Sequence, residues 1–366
     1  IDAQGKIICP GFIDLHSHLR EPGREDKETI ASGTKAAIKG GFTAVACMAN
    51  TTPVADTPVV IEYILNQAKK AGWSKVYPVG AITKGLKGEE LAEMGELAAA
   101  GAVAFSDDGK TIMNAVVLRS AMEYSTLFGL PLLLHQEDTN LAGNGVMHEG
   151  YWSMVLGLPG IPDIAESTII GRDLALAELT GAKVHFCHLS AAKSVALLRE
   201  AKTRGGVNAT AEATPHHFSL TDELLQGYNP VYRVSPPLRS SADVEAVKTG
   251  LKDGTIEVLA TDHAPHTLEE KHREFSLALT GMIGFETALA VAWTELVQRG
   301  WLTKAQLVER LSVNPARILN RPGGRLQKGD NADVLMFDPN REWMVKVEDI
   351  VSKSKNSPFI GQKLSG

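Results

Sequence analysis

Short apolar runs alternate along this chain with longer segments whose apolar residues recur at helical spacing. Eight such runs are predicted to be strands: Phe12–His18, Thr43–Ala49, Lys75–Val79, Ala102–Asp107, Pro131–His135, Lys183–Leu189, Asn208–Ala213 and Glu257–Asp262. Helices are predicted between most of them, for example at Glu28–Lys39, Pro58–Lys70, Asn114–Phe128, Ser167–Thr180 and Ala191–Lys202. This alternation indicates an α/β fold with a parallel sheet covered by helices. Eight strand-helix units favour a closed (β/α)8 barrel of the TIM type over an open sheet.

The barrel is predicted to span residues 9–322. Short strand-like segments joined by a turn follow Gly323. Because a few exposed strands do not form a stable unit alone, we expect residues 1–8 and 323–366 to form a small, truncated β-sandwich accessory domain. The chain does not start with methionine, so we expect further sequence before it. Two long connections, 140–163 and 263–283, are predicted to shape the pocket, the second as a lid.

Composition narrows the class of protein. The chain has 366 residues, 44% of them hydrophobic, which is enough for a large core. A net charge of −6 without a long basic run argues against nucleic acid or an anionic membrane as partner. No run approaches the ~18 apolar residues of a membrane span. Cys9, Cys47 and Cys187 lie in apolar stretches at spacings unlike a disulfide framework, so we expect reduced thiols and a cytoplasmic protein.

Two histidines end the first predicted strand. Residues two apart on a strand point the same way, so His16 and His18 can offer two nitrogen ligands to one divalent metal. Four further candidate ligands stand at the ends of later strands: Asp108, His135, His188 and Asp262. In a (β/α)8 barrel the C-terminal strand ends form the catalytic face. The six residues therefore predict a metal centre on that face.

Other histidines are predicted to have structural roles. His188 comes three positions after His185, which is an odd spacing. Strand alternation therefore puts the two side chains on opposite faces, with His185 in the barrel wall. The pair His216-His217, after Thr214-Pro215, is interpreted mainly as structural, with a role in the pocket as the alternative.

With this ligand set the chain closely resembles the metal-dependent amidohydrolase superfamily and, within it, the dihydroorotases. The motifs that carry the resemblance are Asp14-Leu-His-Ser-His-Leu-Arg-Glu-Pro-Gly23, Asn50-Thr-Thr-Pro53, Ser106-Asp-Asp-Gly109, Ala213-Thr-Pro-His-His217, Pro236-Pro-Leu-Arg239, Thr261-Asp-His-Ala-Pro-His266 and Gly284-Phe-Glu-Thr287. Each motif alone is weak evidence, but together they are strong, and the resemblance covers essentially the whole chain.

The resemblance implies a binuclear centre with two zinc ions per subunit, bridged by Asp108 and a hydroxide. His16, His18 and Asp262 would hold one ion, and His135 and His188 the other. Many family members bridge the metals with a carboxylated lysine. The matching strand here ends in Ser106-Asp-Asp108, so the chain is similar to the subgroup with a bridging aspartate, which we assign to Asp108 over Asp107.

The resemblance also assigns roles in catalysis and substrate binding. Asp262 would take a proton from the attacking hydroxide and return it to the leaving nitrogen. Arg20, Asn50 and His266 would bind the substrate, with the arginine fork matched to a carboxylate. His263 is expected to lie behind the substrate or towards solvent. Ser235 stands where relatives often carry asparagine, so a substrate contact from that loop is not carried over.

The implied function is zinc-dependent, reversible cyclisation of N-carbamoyl-L-aspartate to L-dihydroorotate in de novo pyrimidine (UMP) biosynthesis. One alternative is an allantoinase or hydantoinase of the same superfamily; Arg20 and the missing bridging lysine count against it. Another is a non-catalytic dihydroorotase-like partner of aspartate transcarbamoylase. Such proteins lose metal ligands, whereas this chain keeps all six candidates. Association of an active enzyme with that transcarbamoylase stays open, and we expect a homodimer.

Overall fold

Eight parallel strands stand side by side in one sheet. The computed structural model describes residues 2–366, and its strands are β1 (Ile7–Pro10), β2 (Phe12–Ser17), β3 (Phe42–Cys47), β4 (Lys75–Gly80), β5 (Ala104–Phe105), β6 (Leu132–Leu134), β7 (Met147–His148), β8 (Gly160–Ile161), β9 (Val184–Phe186), β10 (Ala209–Ala213), β11 (Val258–Leu259), β12 (Val334–Phe337), β13 (Glu342–Met344) and β14 (Lys363–Ser365). The large sheet has the order β11-β10-β9-β6-β5-β4-β3-β2. All eight predicted barrel strands are present, several of them shorter than the apolar runs.

The sheet closes between its first and last strands. Ser17 in β2 pairs in parallel with His263, which follows β11. The main-chain N–H of His18 donates to the carbonyl oxygen of His263 at 2.9 Å. The predicted (β/α)8 barrel is therefore confirmed. Since its strands run in one direction, their C-terminal ends meet at one rim.

Helices cover the outside of the barrel. They are α1 (Ile30–Lys39), α2 (Pro58–Ala71), α3 (Met94–Ala100), α4 (Ala115–Thr126), α5 (Thr139–Ala142), α6 (Tyr151–Leu156), α7 (Ile164–Thr180), α8 (Ala192–Arg204), α9 (Pro215–Ser219), α10 (Ser241–Asp253), α11 (Leu268–Lys271), α12 (Ala288–Ala292), α13 (Lys304–Val308) and α14 (Asn314–Leu319). Local sequence sets their ends: the Thr29 hydroxyl accepts from Ser32 N at the start of α1. Gly181 ends α7 with φ 69°, which glycine adopts without a steric cost. Within residues 2–366, no helix has the length and apolar character needed to cross a membrane.

Two apolar layers hold the barrel together. In β3, Ala44 and Ala46 belong to an inner cluster that also contains Ile13 and Leu133. The alternate β3 residues, Val45 and Cys47, belong to a larger outer cluster between the sheet and its helices. This division follows the two-residue period of a strand. Apolar side chains therefore fill much of the barrel interior.

The segment 140–163 contains regular structure. Its short strands β7 and β8 pair in parallel, with Met147 opposite Gly160. Arg239 fastens the segment to the barrel: its Nη1 donates to the Ile161 carbonyl at 3.0 Å. The sequence predicted a long connection here but not its two strands, because pairing between residues far apart in a segment leaves no local pattern.

Both chain ends contribute short antiparallel pairs. Strand β1 pairs with β12, and β13 pairs with β14. Residue 1, which the sequence interpretation included in the accessory segment, lies outside the described residues. Residues 351–356, which we call the strap, follow the barrel rim near the ends of β2 and β11 through contacts described below. Division of the chain at residues 9 and 322 stays a prediction.

Candidate metal centre and active site

Four side chains from three strand ends form a first group of metal donors. His16 Nε2 lies 3.3 Å from Asp108 Oδ2 and 3.5 Å from Asp262 Oδ1. His18 Nε2 lies 3.1 Å from Asp262 Oδ1 and 3.5 Å from Asp108 Oδ2. All four side chains are buried. Their nitrogen and oxygen atoms therefore converge on one point at the rim.

The other oxygen of Asp108 belongs to a second group of donors. Asp108 Oδ1 lies 3.3 Å from His188 Nε2 and 3.5 Å from His135 Nδ1. The two histidine nitrogens are 3.1 Å apart. Asp108 thus turns one carboxylate oxygen towards each group. Its neighbour Asp107 faces away and accepts hydrogen bonds from Ile82 N and Thr83 N, both at 2.9 Å.

These donors fit divalent metal ions. Ligands at ~2.0–2.1 Å from a tetrahedral metal are ~3.3 Å apart, which is the scale of the separations within both groups. His16 Nε2 is buried and makes no hydrogen bond, although an unsatisfied buried nitrogen costs free energy. His16, His18 and Asp262 form one set of converging ligand atoms, and His16, Asp108 and His188 form another. Imidazole and carboxylate donors suit zinc and similar ions.

A buried glutamate supports the centre from below. Glu212, at the end of β10, accepts a hydrogen bond from His16 Nδ1 at 2.7 Å and one from His185 Nε2 at 3.0 Å. The main-chain N–H of His188 also donates to it, at 3.3 Å. A carboxylate on the far nitrogen of a ligating histidine fixes its tautomer and ring orientation. We did not select Glu212 from the sequence, although an acidic residue in the apolar strand Ala209–Ala213 was an available signal.

The prediction that His185 and His188 face opposite sides was wrong. The His185 ring bonds to Glu212, which also bonds to the His16 ring, and the His16 and His188 rings lie 5.1 Å apart, so both rings turn towards the barrel interior. Strand β9 ends at Phe186, and His188 has a left-handed φ of 37°, so strand alternation does not extend to it. The expectation that His185 is a packed residue agrees with its full burial.

The site concentrates backbone strain. Six non-glycine residues among those described have positive φ, and three of them are Arg20 (62°), His188 (37°) and Asp262 (45°). Such conformations cost about 1–3 kcal/mol each and persist where the surrounding structure enforces them. Their position at the strand ends turns these side chains towards the centre.

Electrostatics keep both aspartates ionised. Burial opposes their negative charge, but His16 with the other histidines holds the pKa of Asp108 well below its usual range. Against the same cost of burial, His16 and His18 lower the pKa of Asp262. Both groups can therefore act as anionic ligands.

A cavity of about 490 Å³ opens above the donors, and Arg20 projects into it. Arg20 Nε donates to the Pro265 carbonyl oxygen at 3.1 Å. In the described part of the chain no carboxylate forms a salt bridge with this guanidinium. Burial lowers the pKa of Arg20 to about 10, so it stays cationic at neutral pH. The cavity therefore holds a positive charge that a bound anion can neutralise.

The other predicted substrate contacts line the same cavity. Asn50 Oδ1 accepts from His18 Nδ1 at 2.9 Å, which also orients that histidine. His266 Nε2 donates to the Thr280 carbonyl oxygen at 2.8 Å. Burial and the cations Arg20, Lys27 and Lys271 lower the pKa of His266, so its ring is neutral.

Three further residues discussed in the sequence analysis lie in or near the site. Ser235 lines the cavity, with its hydroxyl 3.4 Å from Glu137 Oε2. His217 bonds to Thr214 Oγ1 at 2.8 Å and to the Pro236 carbonyl at 3.0 Å, which is a structural arrangement. His263 is buried, stacks on Phe285 and lies 3.4 Å from Glu28 Oε2.

Comparison with known proteins identifies the family of this chain. A family model described as dihydro-orotase-like matches residues 5–194. The dihydroorotase of Pelotomaculum thermopropionicum is 55% identical over 366 residues, covering 100% of this chain and 85% of the relative. The dihydroorotase of Acetivibrio thermocellus is 53% identical over 366 residues, covering 100% and 86%.

Solved structures share the fold. An L-hydantoinase (dihydropyrimidinase) from Arthrobacter aurescens superposes with a TM-score of 0.89 at 25% identity, covering 100% of this chain and 83% of that one. A D-hydantoinase (dihydropyrimidinase) from Thermus sp. gives 0.86 at 24% identity, with the same coverage.

Proposed function

This chain belongs to the dihydroorotase family of the amidohydrolase superfamily, whose members are cyclic amide hydrolases, and from that premise we propose how its residues perform the reaction. The substrates are N-carbamoyl-L-aspartate and L-dihydroorotate, which the enzyme interconverts in de novo pyrimidine synthesis. Support for dihydroorotase activity comes from relatives of that name, 50–55% identical over the whole chain.

One observation carries the substrate assignment. Arg20 places an uncompensated guanidinium in the cavity beside His18, one of the metal donors. Dihydroorotate carries a carboxylate on its ring, and an arginine fork binds a carboxylate through two charge-assisted hydrogen bonds. The cavity therefore matches a ring that has both an amide to hydrolyse and an anionic group to anchor.

The two groups of donors would hold two zinc ions. His16, His18 and Asp262 would bind one, His135 and His188 the other, and Asp108 would bridge them through its two oxygens. Metals bound there would acidify a water molecule and polarise the amide carbonyl of the substrate.

Asp262 would move the proton. In ring opening, water adds to the ring amide carbon and the C–N bond breaks. The Asp262 carboxylate, kept ionised by its histidine neighbours, would accept a proton from the attacking water and return it to the departing nitrogen. Ring closure follows the same path in reverse.

Three cavity residues would bind and orient the ring. Arg20 would take the substrate carboxylate, assisted by the side chains of Asn50 and His266. Because His266 is neutral, it can donate or accept a hydrogen bond without adding charge. Anchoring at the carboxylate would hold the scissile amide at the metal donors.

The proposal extends to the location and the assembly of the enzyme. The buried, free cysteines suit a cytoplasmic enzyme. We propose a homodimer that acts on small molecules, with association to aspartate transcarbamoylase as an additional arrangement. The hydantoinase alternative draws on the structural neighbours, but their substrate class gives Arg20 no partner on the ring.

The test is turnover by the zinc-loaded protein. L-dihydroorotate is compared with allantoin and 5,6-dihydrouracil, two rings without the carboxylate. Ring opening of dihydroorotate alone would support the proposal. Equal or faster opening of a carboxylate-free ring would move the protein to the hydantoinases. No turnover with two zinc ions bound would favour the non-catalytic alternative.

A further inference from the structure

The side chain of Asn356, in the strap, joins two walls of the cavity. Its Nδ2 donates to the carbonyl oxygens of Ala264 at 3.0 Å and Gly281 at 3.1 Å. Its Oδ1 accepts from the main-chain N–H of His266 at 3.3 Å. Ala264, His266 and Gly281 all line the cavity. One buried side chain thus fastens the segment after Asp262 to the segment that ends the 263–283 connection.

The main chain of Asn356 adds a fourth contact, since its carbonyl oxygen accepts from Ile283 N at 3.2 Å. Both amide hydrogens and the amide oxygen of the side chain are engaged. Aspartate cannot replace the two donated bonds, and alanine replaces none of the three. Loss of the side chain would leave the buried Ala264 carbonyl without a donor, whereas the Gly281 carbonyl would keep its bond from the Lys271 ammonium at 3.1 Å.

Two serines of the strap contact Lys27 and Glu28, next to the His266 ring. Ser352 Oγ donates to the buried carboxylate of Glu28, and Ser354 Oγ donates to the Lys27 carbonyl at 2.8 Å. Lys27 Nζ in turn lies 3.3 Å from His266 Nδ1. His266 is therefore positioned through its main chain by Asn356 and beside its ring by a lysine that the strap supports.

Arg20 depends on the same segment. Its Nε donates to the carbonyl oxygen of Pro265. Pro265 lies between Ala264 and His266, and the Asn356 side chain bonds to both of these neighbours. A shift of residues 264–266 would move the anchor of the guanidinium as well as the His266 ring. The metal donors have separate supports, such as Glu212 under His16.

We infer that Asn356 is a positioning residue for the carboxylate-binding side of the substrate site. This inference rests on the proposed function, in which Arg20 and His266 bind the substrate carboxylate. Asn356 touches neither substrate nor metal donors. Its removal should weaken substrate binding and leave the metal centre intact.

The experiment compares Asn356→Ala and Asn356→Asp with Asn314→Ala. Asn314 is a matched control: it is buried, and its Nδ2 donates at 2.8 Å to the carbonyl of Glu257, which directly precedes β11 and so lies at the opposite end of the barrel from the metal donors. We expect both Asn356 variants to raise KM for L-dihydroorotate roughly tenfold, the equivalent of one lost buried hydrogen bond. Both should keep kcat within about twofold and bind zinc like the wild type.

A second readout separates positioning from a general loss of stability. Hydrogen exchange should accelerate at Ala264, His266 and residues 279–283 in Asn356→Ala, and remain at the wild-type rate there in Asn314→Ala. A KM increase no larger than that of the control, or a zinc content that falls in step with activity, would overturn the inference. If the wild type opens no dihydroorotate, the proposed function fails. The positioning role of Asn356 is tested independently of activity, and an unchanged hydrogen-exchange rate in Asn356→Ala would refute it.

Discussion

Glu212 Oε1 lies 2.7 Å from His16 Nδ1, and both side chains are completely buried. The contact assigns the Nδ1 proton of His16 to a hydrogen bond and leaves Nε2 to face the donors of the metal centre. It also adds a third negative charge near the centre. Asp108 and Asp262 alone would supply two negative charges, against four positive charges on two divalent ions. Glu212 therefore supports metal binding through both orientation and charge.

Glu212→Gln should weaken zinc binding about 10- to 100-fold, because the variant keeps the shape of the side chain but loses its charge. Competition with a chromogenic chelator measures this directly and needs no substrate. Glu166→Gln is the matched control, since Glu166 is a buried carboxylate that accepts from Ser190 N at 3.2 Å and Ala191 N at 3.1 Å instead of from a metal donor. Equal zinc affinities for the two variants would refute the role of Glu212.

The neighbouring residues Asp108 and Asp107 allow a test of the assignment of Asp108 as the carboxylate that bridges the two metal ions. Asp108→Ala should lower bound zinc from about two ions per chain to one or fewer, because both donor groups lose an oxygen. Asp107→Ala removes the acceptor of the Ile82 and Thr83 amides, so it should reduce the free energy of unfolding by about 1–3 kcal/mol and keep the metals. Elemental analysis of the dialysed proteins measures the number of zinc ions bound per chain. Retention of two zinc ions by Asp108→Ala would contradict the assignment.

The barrel, and the convergence of the candidate metal donors at one rim, could be predicted from the sequence because the relevant signals are local. Each barrel strand is a short apolar run, and the candidate ligands stand at the ends of such runs. Parallel strands then bring these residues to one rim without knowledge of packing. Asp108 could be distinguished from Asp107 only through the family resemblance, and the structure separates their contacts.

Other features depend on contacts between distant parts of the chain. Asn356 follows Ala264 by 92 positions, and no periodicity connects them. The sequence pattern assigned the tail to an accessory domain, whereas the strap contacts the barrel rim. His185 was misplaced because alternation was continued past the end of β9, where a left-handed residue breaks it. Such events depend on tertiary packing, which the local pattern does not contain.

Lys271 should make stability depend on pH. Its ammonium donates to three main-chain carbonyls, those of Arg233, Leu279 and Gly281. Burial, with Arg233 nearby, lowers the pKa of Lys271 from 10.5 to about 7. Below that value both the folded and the unfolded chain hold the proton. Between about 7 and 10.5 only the unfolded chain holds it, so this group makes the free energy of unfolding rise with pH.

The comparison is urea unfolding of the wild type and Lys271→Met at pH 7.5 and pH 9. A fully titrating group contributes about 1.4 kcal/mol per pH unit, so the wild type should gain about 2 kcal/mol relative to the variant. Taking the difference between the two proteins removes the titration of all other groups. Parallel pH profiles would show that Lys271 keeps its ordinary pKa in the folded state.

In the proposed function, Arg20 selects a carboxylate-bearing ring at the metal centre. The most direct measurement is the ratio of kcat/KM for L-dihydroorotate to that for 5,6-dihydrouracil, in the wild type, Arg20→Gln and Arg24→Gln. Arg24 serves as the control because its guanidinium bonds to Glu270 at 2.7 Å and it does not line the cavity. Arg20→Gln should lower the ratio by about 100-fold or more, through loss of a bidentate charged contact, with zinc content unchanged. A ratio in Arg20→Gln equal to those of the wild type and Arg24→Gln would contradict this role of Arg20.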